Sequence, residues 1–147
     1  MAGVWLVMAA SCHWGGTVYH QCRSIHTDGW RQGDTLGFEL PAFAGQKEVE
    51  AFVDVRYTEE FPYHHLWLVV RNNVADSLHW DIDTLCCALY DEKGQPVGKG
   101  LAGLYQVEIP LAMWSPDGSG CARVRIGHAM TDKLLKGVMD VGIRVTE

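Results

Sequence analysis

Apolar and polar residues alternate with a period of two along much of this chain, the spacing of strands with one buried face. Val49, Ala51, Val53, Val55 and Tyr57 alternate with Glu50, Phe52, Asp54 and Arg56, which predicts a strand with one apolar side. Leu66, Leu68 and Val70 alternate with Trp67 and Val69, a strand expected to be buried on both sides. Leu78, Trp80, Ile82 and Thr84 alternate with His79, Asp81 and Asp83, and the apolar run Leu85 to Tyr90 follows. Near the C-terminus, Ala122, Val124, Ile126 and His128 oppose Arg123 and Arg125, and Met139, Val141, Ile143 and Val145 oppose Asp140 and Arg144. Thr35 to Leu40 forms a shorter strand of the same kind.

Turn-forming residues separate these runs: Pro41, Gly45, Phe61–Pro62, Asn72–Asn73, Gly94 to Pro96, and Ser115 to Gly120. Met130 to Lys136 reads equally as a helical turn or a loop. Short strands without long helical patterns between them predict an all-β fold. The expected form is an antiparallel two-sheet β-sandwich, jelly-roll or Ig-like.

Composition narrows the function. The 147 residues carry a formal net charge of −6, and their 12 Lys and Arg are scattered without a run. Phosphate binding needs clustered cations, so nucleic acid is excluded as a partner. No apolar run reaches the about 18 residues of a membrane-spanning helix. Cys12, Cys22, Cys86, Cys87 and Cys121 contain no CxxC pair, so no zinc site is expected. On a strand, Cys86 and Cys87 must point to opposite faces. A Cys22–Cys121 bridge stays open.

The N-terminus reads as a processing signal. Gly3 to Ser11 is apolar or small throughout, and after Cys12 the chain turns polar and Gly-rich. Ala9, Ala10 and Ser11 running into Cys12 resemble the lipobox of bacterial lipoproteins, whose cysteine is acylated once the preceding peptide is removed. The expected division is therefore a signal peptide over 1–11, a lipidated Cys12 with tether and first strand over 12–28, and a β-sandwich domain over 29–147. No Lys or Arg precedes the apolar stretch, and it is short, so the expectation is either that the start of translation lies upstream or that this envelope tolerates a loose motif. The alternative is that Val4 to Ala10 forms a buried strand and Cys12 is an ordinary thiol.

Candidate chemistry is sparse. The seven histidines show no HExxH or HxH spacing, and His64 and His65 diverge on a strand, so no metal is expected. Asp81 and Asp83 share a face and could serve as a glycosidase pair, although two carboxylates there more often form a solvated side. Glu59 and Glu60 read as surface loop. No GxSxG is present, and neither catalytic residues nor a cofactor is expected. Trp30, Trp80 and Trp114 are candidates for exposure, where they would suit glycan stacking or a protein interface, although core or sheet-edge packing is the commoner outcome for each, while Trp67 is expected in the core. Asp140 and Arg144 share one polar face, four residues apart, and offer a charge pair to a partner.

Several segments in order carry a family resemblance. These are GWRQGDTLGFELP (Gly29 to Pro41), RYTEEFPYHHLWLVV (Arg56 to Val70), GHAM (Gly127 to Met130) and LKGVMDVGIRVTE (Leu135 to Glu147). The chain resembles the gliding-motility lipoprotein family GldH of the Bacteroidota. The resemblance implies an anchor through the lipid on Cys12 and a place in the cell envelope, at the outer membrane facing the periplasm. It implies association with proteins of the gliding and type IX secretion apparatus, and neither catalytic residues nor a cofactor. The alternative is a periplasmic or surface lipoprotein that binds glycan through exposed tryptophans.

Overall fold

The computed structural model describes residues 16–118 and 120–147. Cys12, the predicted lipidation site, lies outside the described residues, as do the rest of the predicted signal and the start of the tether. In chain order the strands are β1 (Thr17–Ser24), β2 (Trp30–Arg31), β3 (Leu36–Leu40), β4 (Val49–Thr58), β5 (His65–Asn72) and β6 (Asp81–Ala88). They continue with β7 (Lys99–Leu101), β8 (Leu104–Trp114), β9 (Ala122–His128), β10 (Leu134–Leu135) and β11 (Val138–Thr146).

The period-two pattern of β4 does what it predicts: Val49, Ala51, Val53, Val55 and Tyr57 are all buried. Its hydrogen-bonded neighbours are β11 and β8, within a five-stranded antiparallel sheet ordered β1-β11-β4-β8-β7. Facing it is a four-stranded antiparallel sheet ordered β3-β9-β5-β6. Its inner positions, Phe38, Leu40, Leu66, Leu68, Val70, Val124 and Ile126, complete the core. The expected two-sheet all-β architecture is thus observed, with the apolar phases of both sheets turned inward. Each fully buried Val, Leu or Phe contributes about 1.5–3 kcal/mol to holding the layers together.

The two long sides of the sandwich differ. On the β1/β3 side the sheets are stitched together: the Tyr19 hydroxyl donates to the Glu39 carbonyl at 3.1 Å and Arg23 Nε donates to the Gly37 carbonyl at 3.2 Å. On the β6/β8 side they part, leaving a groove of about 550 Å³ over Cys87, Val107 and Ile109. One end is pinned by Tyr57, whose hydroxyl donates to the Leu89 carbonyl at 2.6 Å and accepts from the Gly98 N–H at 2.9 Å. At that end Gly137 holds φ at +87°, and a Cβ there would stand 2.1 Å from the Phe61 nitrogen.

Several expectations are corrected by the register. Leu66, Leu68 and Val70 are buried, but β5 is not covered on both sides: Trp67 is 45% exposed. In β6 the apolar phase begun by Leu78 and Ile82 faces solvent. Pairing Leu68 with Leu85 and Leu66 with Cys87 gives the core to the opposite phase. In β11 a bulge between Val138 and Asp140 turns Val138 inward and leaves Met139 exposed. Within Met130 to Lys136 neither a helical turn nor a plain loop forms; β10 pairs with β2, setting Leu135 opposite Trp30. The longest strand, β8, was not among the predicted ones. Pro110 interrupts its ladder, and a register shift opposite Ala51 and Phe52 accommodates it.

Candidate interaction surface

The outer face of the five-stranded sheet carries charges that neutralise one another. Arg56 on β4 grips Asp140 on β11 through two nitrogens, with Nε at 2.9 and 2.8 Å from the two carboxylate oxygens. Arg144 pairs with Glu108 on β8 and lies over the Phe52 ring at 5.0 Å. Between them Asp54 is only 3% exposed and has His20 Nε2 from β1 at 3.0 Å. Burial raises the Asp54 carboxyl above its ordinary value; Glu108 adds to the rise, while His20 and Arg144 oppose it. Cys22 Sγ lies 3.5 Å from the same histidine nitrogen, and a Cβ on Gly142 would stand 2.8 Å from that sulfur. Gly142 is therefore what lets β1 carry Cys22 flat across β11.

The outer face of the four-stranded sheet is built differently. Alternation places Trp67, Val69 and Arg71 on one side of β5, Ile82, Thr84 and Cys86 on the matching side of β6, and Arg123 and Arg125 on that of β9. The register sets Gly37, Arg125, Arg71 and Ile82 in one row across all four strands. Arg125 covers the exposed Trp80 ring at 5.6 Å. Arg123 has Glu39 at 3.5 Å, whereas among the described residues neither Arg71 nor Arg125 has a carboxylate within ion-pair reach. Ile82 is 62% exposed and Trp67 45%. A depression of about 380 Å³ between Arg23, Gly37, Glu39, Arg123 and Arg125 continues the row toward β1.

The predicted site residues are dispersed. Trp30 is 2% exposed, set edge-on to His128 at 5.3 Å, and its Nε1 donates to the Asp34 carbonyl at 3.1 Å. Trp114 is half-buried against Phe43 at 6.0 Å, and Trp80 alone of the three lies on the arginine-bearing face. Asp140 and Arg144 share a face as expected, yet each is engaged by a different partner rather than left as one exposed pair. Asp81 and Asp83 are exposed, and the thiols of Cys22, Cys86, Cys87 and Cys121 are free. Cys86 is exposed and Cys87 buried, as opposite faces require, and burial pushes the Cys87 thiol up to about 12. Among the described residues no helix could span a membrane, and no cluster of His, Cys, Asp and Glu is arranged to hold a metal.

The residues that sequence reasoning passed over are Trp67, Arg71, Ile82 and Arg125. The signal was available: Arg71 follows Trp67 by four positions on one strand, so the two share a face. An arginine in that phase marks the face as solvated.

Fold and faces together define a β-sandwich domain with one surface internally neutralised and the other left apolar and cationic. The GldH lipoprotein family model matches residues 17–145, and the chain belongs to that family. It is 22% identical over 139 residues to the gliding motility lipoprotein GldH of Flavobacterium johnsoniae, covering 88% of this chain and 84% of the relative. To the gliding motility lipoprotein GldH homolog of Christiangramia forsetii it is 23% identical over 158 aligned positions, covering 95% of this chain and 89% of the relative. Among solved structures it is similar to part of a family GH115 4-O-methyl-α-glucuronidase, with a TM-score of 0.52 at 18% identity. That match covers 90% of this chain and 18% of the enzyme's chain, and it speaks for the fold alone.

Proposed function

We propose that this protein is a lipid-anchored, non-catalytic component of the gliding and type IX secretion-associated machinery of the cell envelope, acting through contacts with other proteins. The observation that carries this reading is a lipoprotein-family sandwich with the apolar–arginine face of Trp67, Arg71, Ile82 and Arg125 left uncovered. Exposed aromatic and arginine side chains together are characteristic of protein interfaces. Anchoring falls to acyl chains on Cys12 at the periplasmic side of the outer membrane; more than one chain is needed for stable retention. Clustering of Trp30, Trp80 and Trp114 on one exposed face would favour glycan binding instead, and burial of Trp30 breaks that cluster.

The test is the intact mass of the protein extracted from its native envelope, together with membrane fractionation of Cys12→Ala. The expected result is a chain beginning at Cys12 with added acyl mass, and a variant that stays folded but leaves the membrane fraction. An unacylated wild-type chain, or undiminished retention of the variant, contradicts the anchor. In-envelope cross-linking that yields no protein adduct contradicts the contact role.

A further inference from the structure

The row across the four-stranded sheet contains a pairing that folding alone disfavours. Arg71 and Arg125 stand directly opposite each other on neighbouring strands, and like charges in that position are mutually destabilising. On the other sheet every arginine of the outer face has its carboxylate. Arg125 lies over the Trp80 ring, and Arg23 reaches round from β1 to the Gly37 carbonyl, extending the row of cations to the β3 edge. Trp67, Val69 and Ile82 border the row with apolar surface. The chain as a whole is acidic, so this is a local reversal of its charge.

Resting on the contact reading above, we infer that this face docks an acidic segment of a partner protein. Carboxylates of the partner bind Arg71 and Arg125, and apolar side chains beside them pack on Trp67, Val69 and Ile82. Guanidinium groups suit carboxylates because they form paired charge-assisted hydrogen bonds. A lipid headgroup surface fits less well. Polybasic lipid sites use about four to eight cations, whereas here Glu39 offsets Arg123 and the net charge of −6 opposes approach to an anionic bilayer.

The test uses the full-length protein in its native host, with a benzophenone amino acid placed at Ile82 and, for comparison, at Gln106 on the outer face of the other sheet. Irradiation should give a discrete protein adduct from Ile82, and mass spectrometry should place the bond in a segment rich in Asp and Glu. The double variant Arg71→Glu, Arg125→Glu should lower the yield by on the order of tenfold or more. If that variant fails to fold, Arg71→Gln with Arg125→Gln serves instead. A synthetic peptide of the cross-linked segment should bind the purified wild-type chain, lose affinity for the Glu variant, and regain it when its acidic residues are changed to Lys. Adducts with lipid or glycan only, with a second copy of this chain, or insensitive to the arginine changes overturn the inference. Protein adducts from Gln106 but none from Ile82 overturn it while leaving the contact role standing. No protein adduct from either position overturns both.

Discussion

On the outer side of the five-stranded sheet, Arg56 closes on Asp140, Arg144 on Glu108 and His20 on Asp54. On the outer side of the four-stranded sheet, Arg71 faces Arg125 with no carboxylate in reach among the described residues. Both faces are made of the same secondary structure and back onto the same core. The difference lies in what stands opposite each charge. Arg56 with Asp140 and Arg144 with Glu108 answer one another across strands, and of the carboxylates on this face Asp54 is the one whose burial works against its charge. A surface that sets like charges side by side among exposed tryptophan and isoleucine is less favourable alone than it becomes once covered. The first face pairs its arginines within the fold, and the second leaves its arginines exposed.

One glycine on each face distinguishes the two most strongly. A side chain at Gly142 meets the Cys22 sulfur and the Gln21 carbonyl, whereas a Cβ at Gly37 meets nothing within 4 Å. Gly142→Val should cost about 2–3 kcal/mol by overpacking β1 against β11. Gly37→Val should stay within about 0.5 kcal/mol of the parent. Urea unfolding of both variants checks this, and equal effects would remove the distinction.

Asp140→Ala comes next. It leaves Arg56 without its carboxylate, but Arg56 is half-exposed and can turn to water, so the expected loss is about 1–2 kcal/mol in the same assay.

Asp54→Asn should go the other way. Because burial raises the folded-state value of Asp54, ionising it is less favourable in the folded chain than in the unfolded one. Wild type should therefore gain stability relative to the variant as pH falls through the raised value toward the ordinary 3.8. At pH 7 the variant should be neutral or more stable by up to about 1 kcal/mol, read from thermal midpoints across a pH series. The smallest effect belongs to Arg71→Gln, which relieves the like-charge pair and should raise stability by a few tenths of a kcal/mol or leave it unchanged.

How much of this was legible in the sequence follows from the reach of alternation. Period two identifies β4, β5 and β9 because the inward phase of each is apolar, save for Asn72 at the end of β5 and His128 at the end of β9. It misplaces the phase of β6, since Leu78, Trp80 and Ile82 are apolar yet lie on the outer side. Which phase faces inward is decided by pairing with β5, a long-range fact. The bulge at Val138 is likewise invisible in the residues, because Val138 and Met139 are both apolar and only the ladder with β4 tells them apart. The shared face of Asp140 and Arg144 was readable from their spacing. Their partners, Arg56 and Glu108, were not, because those residues come from strands 84 and 36 positions away. The like-charge pair of Arg71 and Arg125 was hidden for the same reason, since it depends on β5 and β9 being neighbours.

Hydroxyl-radical footprinting reads directly which face is covered in the cell. Intact envelopes and purified full-length protein would be oxidised side by side and compared at Trp67 and Trp80, with the exposed Met113 and Met139 as references. Trp67 and Trp80 should react several-fold more slowly in the envelope while the two methionines are little changed. Equal reactivity of both tryptophans in the two preparations would contradict this.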